Sequence, residues 1–466
     1  MPSLPICSFS GAKRLSRLLI LSVLCIGMTA CVQFQTEEPV IKPPQTGPDT
    51  PPPYNTAPDV SSEDIQSPDQ TQVEEFLLNK SDGAENKPTI ALLLPLGASD
   101  PGLRKDAAAL QDAAMMALFD RQASDINLIP VDTKGTADGA EQAAREAIGR
   151  GADIILGPLL SQSVNAVAPV TRQAGVPVLS FSNNERAAGD GIYVIGITPY
   201  AQLERLISYS LGKGLTRFAV LAPDDAYGNR IVSDMQQVIG ERGGEISRLS
   251  FYNPVGTDFT DQARAMSNYD IRRGSLKSRI KALEARNDEV SRAALAQLRR
   301  RDTLGGLDFE AILLPTLDPL VLRSLAAQLA QYDVSQPEVR ILGLSLWDEF
   351  GDLSSEPPLV GSWYVAPPDD SWRLFAERYR KTYSHLPPTL AALAYEATAL
   401  AILSSHADTP FSRDSLVNPQ GYQGILGVFR LTAGGHSHRG LAIKQITDDG
   451  VQILDPAPTS FEAAIN

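Results

Sequence analysis

The strongest constraint in this sequence is an alternation that begins at Thr89. Short, continuously apolar runs are separated by longer amphipathic ones. Thr89–Leu94 reads TIALLL, apolar on both faces, which suits a strand covered by helices on each side. A helix is expected from about Leu103 to Gln122, a strand at Ile126–Asp132 and a helix at Ala137–Arg150. Asp153–Gly157, Val176–Ser180 and Ile192–Ile197 follow as strands, with a helix at Ser161–Ala174 between the first two. Strands that recur after helical crossovers pair in parallel, so this is the pattern of a doubly wound α/β sheet.

A second run of the same kind follows Pro199. It predicts helices at Tyr200–Leu211, Asn229–Arg242, Asp258–Met266 and Asp318–Tyr332, with strands at Arg217–Ala222, Glu245–Phe251, Phe309–Leu314 and Arg340–Leu344. Two more helices, Trp372–Tyr383 and Leu390–Ser404, precede Gly427–Leu431 and Leu441–Thr447, which read as a β-hairpin. The expected fold is α/β and two-lobed, each lobe a doubly wound, mainly parallel sheet. Lobe 1 is assigned residues 88–198 plus about 364–455, lobe 2 residues 199–363, and the tail residues 456–466. Crossings between lobes are expected near Thr198–Pro199, residues 345–350 and residues 363–367.

The segment before Thr89 has a different character. Lys13, Arg14 and Arg17 precede the apolar run Leu18–Gly27, and Met28-Thr29-Ala30-Cys31 follows. These are the three parts of an export signal ending at a lipoprotein cleavage site. The apolar run is shorter than the ~20 residues that a membrane span needs. Residues 1–30 are therefore read as a signal peptide and Cys31 as the lipidated residue. Cleavage there removes Cys7 and Cys25, so the mature chain keeps one cysteine and forms no internal disulfide. Residues 32–87 are rich in Pro, Ser, Thr, Gln, Asp and Glu, a composition that cannot bury enough apolar surface to fold. With Cys31 they form a tether spanning roughly 40 Å as a coil and roughly 170 Å fully extended. Only a weak helical pattern, near Val73–Leu78, interrupts it.

Charge and motif content exclude several function classes. The formal charge is -14, and loss of the signal's three basic residues takes it to -17. That argues against a nucleic-acid binder, which needs a basic face. It also argues against attachment through a basic surface helix, leaving covalent lipid as the anchor. The four histidines, His385, His406, His436 and His438, form no His-Glu-x-x-His helix, and no Cys/His metal cluster is present. Gly343-Leu344-Ser345-Leu346-Trp347 lacks the final glycine of a nucleophile elbow. No catalytic residue, metal or cofactor is assigned, and the protein is read as a non-enzyme.

Residues 269–302 form a basic island on this acidic chain. Arg272, Arg273, Lys277, Arg279, Lys281, Arg286, Arg292, Arg299, Arg300 and Arg301 outnumber the five acids among them. Leu276, Ile280, Leu283, Val290, Ala294 and Leu298 recur at helical spacing, predicting a helix or helical hairpin. Two readings fit it. One is a solvated amphipathic cover on lobe 2. The other is a docking arm, with Arg272, Arg273, Arg299, Arg300 and Arg301 as partner-binding candidates steered by charge.

Several segments resemble a known family in combination. Thr89–Leu96 is similar to the first strand of type I periplasmic binding proteins, the leucine/isoleucine/valine-binding-like group. Ala152–Ser161 and Gly175–Ser182 resemble their third and fourth strands, and Ala222-Pro223-Asp224-Asp225-Ala226-Tyr227-Gly228 the loop that opens their second lobe. Gly421–Gly427 with Phe429 is similar to their C-terminal hairpin. Within that group, Phe309–Pro315 and Leu342–Asp348 resemble the penicillin-binding protein activator lipoproteins. That resemblance implies a regulator, anchored at the outer membrane and facing the periplasm, that binds and stimulates a peptidoglycan synthase. The alternative it leaves open is a solute-binding lipoprotein of an ABC transporter for amino acids or related small molecules.

The resemblance also nominates cleft residues. Ser161 and Ser182 would hold a ligand carboxylate, or else merely cap helices and satisfy loop backbone. Tyr227 falls at a ligand-stacking position or packs at the domain edge. The acid expected to hold a ligand ammonium is displaced: the loop reads Ser345-Leu346-Trp347-Asp348-Glu349, so Trp347 and Asp348 are the candidates there. A cleft so altered is either vestigial or takes something other than a free amino acid, such as a muropeptide. Val32, rather than Asp, follows Cys31, which favours outer-membrane sorting.

Overall fold

The computed structural model describes residues 87–286 and 288–461. The signal peptide, Cys31, the tether through residue 86 with its short helical pattern, and tail residues 462–466 lie outside the described residues.

The first lobe holds a five-stranded sheet of β1 (Thr89–Leu94), β2 (Asn127–Asp132), β3 (Ile154–Leu156), β4 (Val178–Ser180) and β5 (Ile192–Val194). The order is β2-β1-β3-β4-β5 and every pairing is parallel. Every residue of β1 is buried, as its unbroken apolar run requires. Its connecting helices are α1 (Pro101–Arg121), α2 (Ala137–Gly149) and α3 (Ser161–Ala174).

The second lobe contains α4 (Pro199–Gly212), β6 (Arg217–Pro223), α5 (Ala226–Arg242), β7 (Glu245–Tyr252), α6 (Thr260–Met266), α7 (Tyr269–Glu284), α8 (Glu289–Leu298), β8 (Ala311–Leu313), α9 (Pro319–Gln331), β9 (Arg340–Gly343) and β10 (Trp363–Ala366). The chain then returns to lobe 1 with α10 (Asp369–Tyr383) and α11 (Ala391–Ser405). The facing alanines of α1 and α11, among them Ala113, Ala114, Ala394 and Ala397, let these helices approach closely within the lobe 1 core.

The C-terminal strands depart from the sequence expectation. Residues 427–447 are not one hairpin on lobe 1. β11 (Phe429–Leu431) pairs with β12 (Ser437–Arg439), a three-residue strand of polar residues that apolar patterning does not reveal. β13 (Ala442–Thr447) instead lies antiparallel to β10 and to β14 (Gly450–Asp455). The second sheet therefore runs β14-β13-β10-β9-β8-β6-β7, and residues 363–366 and 442–455 belong to lobe 2. Ile446 sits in one core of that lobe and Ile443 in the other, burial that pairing with β11 would not provide. The chain crosses between lobes at residues 195–199, 366–369 and 440–441. Residues 345–350 are not a crossing: they form a 3-10 turn, Ser345–Glu349, packed into lobe 2.

Candidate functional site

In open α/β sheets, ligands gather beyond the carboxyl ends of the strands. Here the two sheets point those ends at each other across the interlobe cleft. On lobe 1, Ser161 opens α3 half-buried, and the N-cap residue Leu160 supplies no side-chain cap. Ser182 is buried and internally committed. Its hydroxyl accepts from the Asn184 N–H at 3.1 Å, while its own N–H donates to Ser180 Oγ at 3.1 Å. Ser180 in turn donates to the Pro158 carbonyl at 3.0 Å. The hydroxyls here build the loop before any ligand arrives.

On lobe 2, Asp225 caps α5 through the Gly228 N–H at 2.8 Å. A Cβ on Gly228 would run into the Pro223 carbonyl, so the Asp-Asp-Ala-Tyr-Gly motif is fixed by a tight strand-to-helix turn. Tyr227 is half-buried against the core shared by α4 and α5, and burial pushes its hydroxyl well above the usual range.

Trp347 is not a cleft residue. Its side chain is 1 % exposed, stacked on Gly343 so closely that a Cβ there would penetrate the indole ring. The 3-10 turn folds the tryptophan inward and leaves Asp348 beside the crossing at residues 366–369. Asp348 is held by internal partners. Lys444, on β13 and only 2 % exposed, donates to both of its oxygens at 2.9 and 3.0 Å, and to Asp369 at the start of α10. Tyr364 donates to Asp348 Oδ1 at 2.8 Å. Burial, reinforced by that carboxylate, pushes the Tyr364 hydroxyl up. This cluster ties β13, β10, the 3-10 turn and α10 together beside the second crossing. Next to it a cavity of about 80 Å³ is lined by Ile197, Ser345, Asp348, Glu349, Asp369 and Trp372, among others. Ser161, Ser182 and Tyr227 do not line it.

The basic island folds as α7 and α8, which pack on each other. Leu276, Leu283 and Leu295 face inward, and Tyr269 meets Tyr332 edge-on at 5.0 Å, seating the pair on lobe 2. Arg272 is turned into the protein rather than toward solvent. Its side chain is 12 % exposed and bonds Thr303 Oγ1 at 2.7 Å and the Gly305 carbonyl at 3.1 Å, with Asp333 at 3.2 Å. It clasps the two ends of the insertion. Arg273 is likewise engaged, by Tyr269 at 2.6 Å and Asp302 at 3.6 Å, and Arg299 by Glu284 at 2.8 Å. Lys277, Arg279, Lys281, Arg292, Arg300 and Arg301 are exposed.

Three groups escaped the sequence reading. Arg439 and Glu396, each 1 % exposed at the side chain, form a bidentate pair at 2.8 and 3.2 Å inside lobe 1. Lys444 reads as an ordinary strand lysine until β13 is placed. Arg230 and Asp234, at i and i+4 on α5, turn toward lobe 1 rather than toward solvent. Among the described residues no group of three or more His, Cys, Asp or Glu side chains is placed to hold a metal.

The model of the periplasmic binding protein family matches residues 89–450. The chain belongs to that family. Solved structures place its fold with the type I, leucine-binding members. A branched-chain amino acid transporter protein from Rhodospirillum rubrum superposes with a TM-score of 0.60 at 16% identity, covering 79% of this chain and 100% of that one. A periplasmic ligand-binding protein of a branched-chain amino acid transporter from Burkholderia xenovorans gives 0.58 at 14% identity, covering 80% and 96%. At such identities the likeness is one of fold. An uncharacterized Rickettsia prowazekii protein is 29% identical over 180 residues, 38% of this chain, and that match spans about half (47%) of the relative's length. Within this periplasmic binding protein frame, Asp348 is paired with Lys444, which it shares with Asp369, and Ser182 is already hydrogen-bonded within its own loop. No helix among the described residues is long and apolar enough to cross a membrane.

Proposed function

We propose that this protein is a non-enzymatic envelope lipoprotein, lipidated at Cys31, that uses a periplasmic binding protein body to dock and regulate a peptidoglycan synthase. The observation that carries this reading is the α7–α8 pair. It is clasped rigidly to lobe 2 by Arg272 and presents Lys277, Arg279, Lys281, Arg292, Arg300 and Arg301 to solvent on an otherwise acidic protein. Such a surface suits an acidic partner face, with attraction that salt weakens. The state of the cleft agrees, because Ser182 is hydrogen-bonded within its own loop and Asp348 is paired with Lys444 and Tyr364. A tether from the outer membrane would let the body reach an inner-membrane synthase.

The test is capture of detergent-solubilised penicillin-binding proteins on immobilised protein. Replacing Lys277, Lys281, Arg300 and Arg301 by Glu should abolish capture while leaving the melting curve unchanged. Capture that survives the charge reversal rules the arm out.

A second reading, a solute-binding lipoprotein of an ABC transporter, is favoured by the 80 Å³ cavity beside Trp372 and Asp348 at the interlobe crossing. The structural neighbours include LivJ of Streptococcus pneumoniae in complex with isoleucine. Calorimetry against branched-chain amino acids and muropeptides separates the two. Tight amino-acid binding would replace the docking reading with this one.

A further inference from the structure

The two lobes meet through side chains of the protein itself. Arg230 Nη2, on α5 of lobe 2, donates to the carbonyl of Asn183, in the loop after β4 of lobe 1, at 3.2 Å. Asp234 lies one turn further along α5, with a carboxylate oxygen 3.6 Å from Arg230 Nε. Both atoms are buried and make no hydrogen bond among the described residues. The guanidinium thus lies between a carboxylate of its own helix and a carbonyl of lobe 1.

The lobe 1 side of this seam is also charged. Glu185 is bonded to Thr198, at the first crossing, and faces His436 Nδ1 at 3.9 Å. Arg186 acts on Asp234 from across the seam, and Glu185 feels both Arg230 and Asp234. Further along, His438 on β12 feels Glu204 and Arg242, which are paired to each other on α4 and α5. Charged groups therefore face each other across the lobes from Asn183 to the β11–β12 hairpin.

We infer that Arg230 and Asp234 form a latch that holds the lobes closed without a ligand. In a two-lobed binding protein, closure is ordinarily a population set by differential ligand contacts. Here the chain supplies the bridging contact itself, so the closed form is the resting form. The inference does not depend on the identity of any partner.

The test measures interlobe distance by pulsed electron spin resonance. Labels are placed at Asp138→Cys, in the first turn of α2, and Asp261→Cys, in the first turn of α6, both exposed. Cys7, Cys25 and Cys31 are replaced by serine in the full chain. The ligand-free protein should show one narrow, short distance that added leucine or isoleucine does not alter. Arg230→Ala should lengthen and broaden it, and the isosteric Asp234→Asn should do the same more weakly. A ligand-free distribution that is already broad, or one unchanged in both variants, overturns the latch. A circular-dichroism melt of each variant distinguishes opening from unfolding. Capture of a synthase is read separately, so failure of the latch and failure of the docking reading remain distinct.

Discussion

Glu396 and Arg439 show what a buried charge costs when its partner is removed. The Glu396 carboxylate accepts two guanidinium bonds and the Leu426 N–H at 2.8 Å, and Arg439 also donates to the Ile195 carbonyl at 3.2 Å. Glu396→Ala would leave the guanidinium buried and uncompensated, a loss of roughly 3–5 kcal/mol. Denaturant unfolding checks it; a loss below about 1 kcal/mol would mean that water replaces the carboxylate. Carboxylates at the seam carry a pH dependence. Burial raises Glu185 and Asp234 above the ordinary carboxylate range, against the opposing pull of Thr198 and His436 on the first and of Arg230 and Arg186 on the second. The folded seam therefore binds these protons more tightly than the unfolded chain. That contribution to stability is present at low pH and is lost as pH rises through the raised values. Asp308, lowered by its hydrogen bond from Arg248, and Glu310, lowered by the Thr216 N–H, act in the opposite sense and lose their contribution as pH falls. Asp234→Asn should flatten the decline of melting temperature with rising pH above the ordinary carboxylate range, read by calorimetry at several pH values; an unaltered profile contradicts the assignment. Little of this was legible in the sequence. Glu396, Arg439, Arg230 and Asp234 look like surface charges in a charged chain, and only the fold brings them into low-dielectric contact. Ser182 and Asp348 are legible as loop positions after strands, but their internal hydrogen bonds belong to tertiary structure.

At the scale of elements, the apolar runs of β1, β3, β6, β8 and β9 and their intervening helices follow directly from hydrophobic patterning, because parallel strands buried on both faces have nowhere else to go. Patterning fails where a strand is short and polar. Ser437–Arg439 joins a hairpin through backbone pairing while its Arg439 is buried by Glu396, and missing it displaced the whole C-terminal assignment by one strand. The 3-10 turn at Ser345–Glu349 fails for a related reason: close stacking of Trp347 on Gly343 reverses the side that the indole faces. Gly343→Ala should force the ring away and cost roughly 1–3 kcal/mol by overpacking, with loss of near-ultraviolet tryptophan ellipticity. An unchanged melt and spectrum would contradict the stacking. The α7–α8 pair depends on its clasp. Arg272→Ala removes bonds to Thr303 and Gly305 and the ion pair to Asp333, and should raise hydrogen exchange across residues 267–305 while leaving both sheets protected. Uniform protection would show that the buried leucines alone hold the pair.

At the scale of the molecule, the chain assembles its lobes from interleaved segments. The second sheet is completed only after the chain has returned to build α10, α11 and the β11–β12 hairpin on the first. Lys444 then ties the last strands to the crossing through Asp348 and Asp369. On the docking reading proposed above, a body joined in this way serves to present the cations of its appended helical pair, α7–α8, to a partner. The most direct measurement is in-cell photo-crosslinking from a photoreactive residue in place of Lys281, on the exposed face of α7, followed by mass spectrometry of the crosslinked species. The account predicts a peptidoglycan synthase among the adducts, lost when Lys277, Arg300 and Arg301 are reversed to Glu. Recovery of a transporter permease in its place would contradict it.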